Sequence, residues 1–300
     1  MSADQVIRFR DRHVSVAAGR PLLMGIVNAN PDSFSDVRRL TTLDAQVDHA
    51  MRLVADGADL IDVGGESGVT YTGVTAEQVE IERVCPLIER LAGEGVIVSV
   101  DTWKPAVARA ALDAGAAMLN DVSGLREPVF AELCAQTGAA LVLMHTRAAP
   151  KQVHFADYAG DVAGDVAAFL AEIVDVARGR GVADDQLVLD PGPDFAKTPA
   201  ETIASLQDIG TLRAMGLPLL LAVSNKYFVG AVTGRPPGER LAGTLAAVGW
   251  SADRGAAIVR VHDVAAAHDY LSVRRVLTGE EPLPDFDAQD DALKWIRAQS

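Results

Sequence analysis

The chain has 300 residues, 49% hydrophobic and 23% charged, enough for one large α/β domain with its own core. Its formal net charge of −14 disfavours nucleic acid or an anionic membrane as a partner, because phosphates would be repelled over most of the surface; an anionic ligand then needs a local cationic pocket. No apolar run reaches the roughly 20 residues of a membrane helix, and the N-terminus lacks a charged-then-apolar leader pattern. Cys85 and Cys134 stand apart without metal-like spacing, so both are expected as buried thiols in a reducing cytoplasm.

In chain order, alternation on either side of Asp11-Arg12 predicts a hairpin, with Val6-Ile7-Arg8-Phe9-Arg10 on one arm and His13-Val14-Ser15-Val16 on the other. It is expected to plug one end of the domain. The run Leu22-Leu23-Met24-Gly25-Ile26-Val27-Asn28 is the first buried strand, delivering its C-terminal end into a polar loop around Pro31. Thr42-Leu43-Asp44 then opens a helix with Val47, Ala50, Met51 and Val54 on one face, stopped by Gly57. The same unit of strand, loop and helix recurs. Further strands are read at Leu60-Ile61-Asp62-Val63-Gly64-Gly65, Val96-Ile97-Val98-Ser99-Val100-Asp101, Met118-Leu119-Asn120-Asp121 and Leu141-Val142-Leu143-Met144-His145. Leu187-Val188-Leu189-Asp190, the stretch 219–226 and Ile258-Val259-Arg260-Val261-His262 complete eight. Helices are expected over 79–91, from Lys104-Pro105 onward, and over 127–136, 161–180, 199–215, 239–254 and 264–277.

Eight strands alternating with eight helices predict a (β/α)8 TIM barrel with an N-terminal β-hairpin. Residues 1–279 are read as one barrel domain. Residues 280–300 are read as an acidic tail with a short helix carrying Trp295 and Ile296. Long loops at 66–75 and 147–160 read as functional segments. In such a barrel the C-terminal strand ends converge, so Asn28, Asp62, Asp101, Asn120, His145, Asp190, Lys226, Arg260 and His262 would ring one pocket. Asp101, Asn120, Asp190 and Lys226 supply the acceptors, amide and donor that orient a flat heterocycle edged with amino and carbonyl groups. Lys226, Arg260 and His262, with Asn28, form the cationic corner for an anionic group. For Arg260 a second reading stands beside it, in which the guanidinium simply pairs with Asp62 or Asp101.

Several motifs in one order then point to a family. Met24-Gly25-Ile26-Val27-Asn28-Ala29-Asn30-Pro31-Asp32-Ser33-Phe34-Ser35-Asp36, Asp62-Val63-Gly64-Gly65-Glu66-Ser67 and Ser99-Val100-Asp101-Thr102 resemble dihydropteroate synthase of folate biosynthesis. The likeness continues through Asn120-Asp121-Val122-Ser123-Gly124, Met144-His145, Leu189-Asp190-Pro191-Gly192, Lys197-Thr198-Pro199, Ser224-Asn225-Lys226 and Arg260-Val261-His262-Asp263. The resemblance implies a cytoplasmic transferase, a homodimer packed through its last helices. It implies condensation of a dihydropterin methyl diphosphate with p-aminobenzoate, with diphosphate leaving with help from Mg2+. Carried over, Asp101, Asn120, Asp190 and Lys226 hold the pterin, with Asp101, Asp190 and Lys226 as the catalytic set. Asn28, Arg260 and His262 hold the diphosphate, and Asn28 also takes the metal.

The chain departs from the family pattern at the other half of the reaction. After Gly64-Gly65-Glu66-Ser67 the usual threonine, arginine, proline and glycine give way to Gly68-Val69-Thr70-Tyr71-Thr72-Gly73. The usual serine-arginine-lysine is Ser224-Asn225-Lys226, Asn30 replaces a threonine, and Asp194-Phe195-Ala196 puts non-glycine residues on both sides of the phenylalanine. Each lost arginine removes a charge-assisted contact of about 1.5–3 kcal/mol. The alternative function is therefore a non-standard paralogue that binds a pterin without this condensation. A barrel that passes a methyl group from a methyl-pterin to a corrinoid is a further class, disfavoured by Pro31-Asp32-Ser33-Phe34.

Overall fold

Alternating apolar residues at the start of the chain form an antiparallel hairpin of β1 (Gln5–Phe9) and β2 (Arg12–Val16), as its pattern predicts. This computed structural model describes residues 5–29, 42–66, 73–152, 154–285 and 293. Eight parallel strands follow: β3 (Leu22–Asn28), β4 (Leu60–Gly64), β5 (Ile97–Asp101), β6 (Met118–Asp121), β7 (Ala140–Met144), β8 (Leu187–Asp190), β9 (Leu220–Leu221) and β10 (Ile258–Val261). They pair in the order β8-β7-β6-β5-β4-β3-β10-β9. A bridge between Leu189 and Leu219, with Leu189 N donating to Pro218 O at 2.8 Å, joins the two ends. The sheet is thereby a closed TIM barrel.

Two apolar layers follow from the two-residue period of each strand. Leu23, Ile61, Val63, Val98, Leu119 and Leu141 face outward to the helices. Met24, Leu60, Met118, Val142, Val188 and Ile258 face inward and meet Ile7 and Phe9 of the hairpin. The hairpin closes the N-terminal end of the barrel, anchored by Arg10 N donating to Gly138 O at 2.8 Å and by the Arg8 to Gln186 contact. Burying a side chain such as Phe9 contributes about 1.5–3 kcal/mol, so the plug leaves the other end of the barrel as the open one.

The helices are α1 (Leu43–Ala55), α2 (Glu77–Gly93), α3 (Pro105–Asp113), α4 (Val129–Thr137), α5 (Val162–Gly179), α6 (Pro199–Gln207), α7 (Ile209–Arg213), α8 (Tyr227–Thr233), α9 (Leu241–Asp253) and α10 (Val264–Leu277). Their starts are written locally. Thr42 caps α1, Asp161 caps α5, Asp263 caps α10, and Thr198 and Glu201 form a capping box on α6.

Three local expectations change. The single helix over 199–215 breaks at Asp208, whose carboxylate accepts the Thr211 hydroxyl at 3.0 Å and so competes with the helical ladder. The seventh strand leaves the sheet after Leu221, and α8 follows unannounced, its Gly230 seated against the Arg240 guanidinium where a Cβ would lie 2.3 Å from Nη2. Cys134 is buried, but Cys85 is only half-buried. The Pro31-Asp32-Ser33-Phe34 loop, Val69 and the helix expected around Trp295 and Ile296 lie outside the described residues.

Candidate active site

Ladder register decides which strand-end side chains share a level. Asn28 pairs with Gly64, Gly64 with Asp101, and Asp101 with Asn120, so residues from four strands occupy one row at the C-terminal mouth. Asp62 lies two residues below Gly64 on the same inward face. Arg260 starts lower still, level with Met24, and its long side chain climbs to the carboxylates. Its Nε donates to Asp62 at 2.7 Å and its Nη2 to Asp101 at 3.0 Å, while Asn120 Nδ2 donates to Asp62 at 3.1 Å.

The electrostatics of this cluster follow from burial. Asp62 is wholly enclosed, and Asp101 keeps 27% of its side chain exposed. Burial, with Asp62 and Glu80 adding repulsion against the pull of Arg260 and Lys226, pushes the Asp101 carboxyl up to about 7. Burial also raises Asp190, although the Gly192 N–H donates to its Oδ1 at 2.7 Å and Lys226 and Lys197 favour its anion. Burial lowers Lys226, opposed chiefly by Asp194 and then Asp190.

Asp101 and Lys226 open onto a cavity of about 390 Å³. Trp103, Val122, Phe155 and Phe195 give it apolar walls, and Glu66, Lys151 and Asp194 add charged groups to its lining. Lys226 Nζ sits 4.7 Å from the centre of the Phe195 ring. The arrangement offers a flat ligand an aromatic wall beside a carboxyl and an ammonium group.

The family model described as "Pterin binding enzyme" matches residues 24–262. Dihydropteroate synthase of Bacillus subtilis strain 168 is 41% identical over 247 residues, covering 82% of this chain and 84% of that protein. The chain belongs to the dihydropteroate synthase family of pterin-binding enzymes. The solved dihydropteroate synthase of Xanthomonas albilineans in complex with 7,8-dihydropteroate superposes with a TM-score of 0.81 at 39% identity, covering 93% of this chain and all of that one. The "Inactive dihydropteroate synthase 2" of Mycobacterium leprae is also 39% identical, over 274 residues covering 89% of this chain and 94% of that protein.

Within this family member, Arg260 pairs with Asp62 and Asp101, as the second reading of it expects. His262 does not enter as a cation. Burial, with Arg260 and Lys226 nearby, drives its pKa down to about 4, and its Nδ1 lies 2.9 Å from the Ser224 hydroxyl. His145 leaves the ring altogether. It is fully buried, with Nε2 2.9 Å from Asp165 and Nδ1 2.7 Å from the Lys197 ammonium, which also donates to Gly192 O at 3.0 Å. Burial holds His145 at about 4 and Lys197 at about 7.

Sequence reasoning passed over Lys104, treating it only as a helix start. Its buried ammonium pairs with Glu66, with Glu80 at 2.5 Å and with Thr75 O at 2.7 Å, tying both ends of the 66–75 loop to the barrel. Lys151 reaches Glu66 at 3.1 Å from the second long loop. The signal was there in Glu80, a carboxylate on the buried face of α2 that needs a cation.

Proposed function

We propose that this chain condenses a dihydropterin methyl diphosphate with p-aminobenzoate, releasing diphosphate, as a cytoplasmic transferase of folate biosynthesis. The observation carrying the reading is the gathering of Asp101, Asn120, Asp62 and Arg260 in one hydrogen-bonded cluster beside Asp190 and Lys226. Asn120 and Asp190 serve the amino and N–H edge of the pterin, and Lys226 donates to its ring carbonyl. The methylene C–O bond breaks with its electrons going to the diphosphate. The cation left behind is spread over the ring, where preorganised carboxylates at Asp101 and Asp190 stabilise it. The aryl amine attacks the methylene, forming C–N, and its proton passes to solvent.

For Mg2+ the residues fit in kind. Among the described residues no group of three His, Cys, Asp or Glu side chains could hold a metal, but magnesium accepts a single protein oxygen with water and phosphate oxygens completing its shell. Asn28 Oδ1 supplies such an oxygen, and a Cβ at Gly64 would sit 3.9 Å from it and 3.8 Å from Asp101 Cβ, filling the space between them. The ion would screen charge on the leaving diphosphate. Arg260 then serves the diphosphate from below. His262, being neutral, contributes a hydrogen bond rather than charge.

No described helix is long and apolar enough to cross a membrane. Homodimer packing through the last helices is supported by the exposed Val232, Leu241, Val273 and Leu277 on α8, α9 and α10. Purified protein with the pterin diphosphate, p-aminobenzoate and magnesium should release diphosphate and form dihydropteroate. Calorimetric binding of the pterin without turnover would instead support the paralogue reading, which Asn225 at the family's arginine position favours. Absence of pterin binding would overturn both.

A further inference from the structure

The loop between β8 and α6 carries two left-handed residues, Asp194 at φ +66° and Ala196 at φ +54°, on either side of Phe195. A Cβ crowds backbone of this hand, which is why glycine is the default there. An aspartate in such a position needs compensating contacts, and this one has four. Its Oδ2 accepts Tyr227 N at 2.5 Å and its Oδ1 accepts Phe228 N at 3.3 Å. Its own N–H donates to the Thr202 hydroxyl at 3.0 Å, and that hydroxyl lies 3.3 Å from Oδ1.

Tyr227 and Phe228 are the first residues of α8, and Lys226 is the residue immediately before it. The carboxylate therefore grips the chain on the C-terminal side of Lys226. From the other side Arg240 Nη1 donates to Asn225 O at 2.8 Å and to Lys226 O at 3.1 Å, and Asn225 N donates to Thr244 at 3.1 Å. The next residue of the loop, Phe195, places its ring against the Lys226 ammonium, while its carbonyl accepts from the buried Lys197 at 3.2 Å.

We infer that Asp194 is the positioning residue of Lys226: it ties two separate strand-end loops into one unit that holds the ammonium against Phe195 at the cavity wall. This deepens the reading proposed above and rests on it for the pterin as ligand. The charges around the ammonium fit this role. Burial works against the charged lysine, Asp194 opposes that most strongly, Asp190 and Asp101 act in the same direction as Asp194, and Arg260 acts with burial. Lys197 and His262 also lie within its field.

Two variants separate position from charge. Asp194→Gly suits the backbone and removes the grip, whereas Asp194→Asn keeps one acceptor oxygen for the Tyr227 amide and loses the charge. In Asp194→Gly the Tyr227 and Phe228 amides should exchange with deuterium at least about tenfold faster, the loss of one charge-assisted contact. The NMR titration of 13C-dimethylated Lys226, assigned with Lys226→Arg, should move to lower pH in both variants. Calorimetric affinity for the pterin methyl diphosphate should fall about tenfold in Asp194→Gly and be largely retained in Asp194→Asn. Unchanged amide exchange and an unchanged Lys226 titration in Asp194→Gly would overturn the inference. A wild-type protein that binds no pterin would defeat the functional reading instead, while exchange and titration still decide the role of Asp194.

Discussion

Arg260→Leu tests the ion cluster at the base of the site. The guanidinium serves Asp62 at 2.7 Å and Asp101 at 3.0 Å, and Asp62 has no exposed side-chain surface. Without the cation, two carboxylates face each other in a low-dielectric pocket, and breaking a buried ion pair in this way costs on the order of 3–5 kcal/mol. The cost depends on pH. Burial first, then Asp62 and Glu80, hold the Asp101 carboxyl at about 7, above the ordinary 3.8. Between those values the folded state keeps a proton that the unfolded chain releases. Wild-type stability from this group is therefore fully present below about pH 4 and is lost as pH rises through about 7. Removing Arg260 pushes the carboxyl higher still. Urea unfolding followed by circular dichroism should show the variant about 3–5 kcal/mol less stable at pH 8 and less strongly destabilised at pH 5, where Asp101 is protonated in both and only the lost partner of Asp62 counts. An equal loss at the two pH values would refute the reasoning.

Lys197, lowered to about 7 from 10.5 by burial, sheds in the folded state a proton the unfolded chain keeps, so stability should rise with pH across that window. Lys197→Met should flatten the rise in urea midpoints between pH 7 and 9.5, and a persistent slope would exclude this lysine as its source. Gly192→Ala should lower the thermal midpoint sharply, because φ is +63° and the new Cβ would meet His145 O at 2.1 Å; an unshifted melting curve would contradict that packing. Asn28→Ala should raise the magnesium concentration needed for half-maximal diphosphate release with little change in metal-free pterin affinity, and an unaltered magnesium dependence would remove Asn28 as ligand. Val69→Arg with Asn225→Arg should raise the condensation rate if the missing cations limit it. A flat rate would discard that explanation.

The sequence alone was enough to reveal the eight strands, the hairpin and most helix starts, because strand periodicity and caps such as Thr42, Thr198 and Asp263 act over a few neighbouring residues. It also marked Asn28, Asp101 and Asn120 as strand-end side chains, and the ladder register places them in one row. Charge state and pairing needed the tertiary structure. Arg260 meets Asp62 and Asp101 from 198 and 159 positions away, and the His262 pKa falls from 6.5 to about 4 only because folding encloses it beside two cations. Lys197 beneath His145 and Asp194 gripping the start of α8 show no periodic signal, since each is set by one contact between distant loops. Short-range stereochemistry is written along the chain, whereas burial and long-range electrostatics exist only once the barrel has closed.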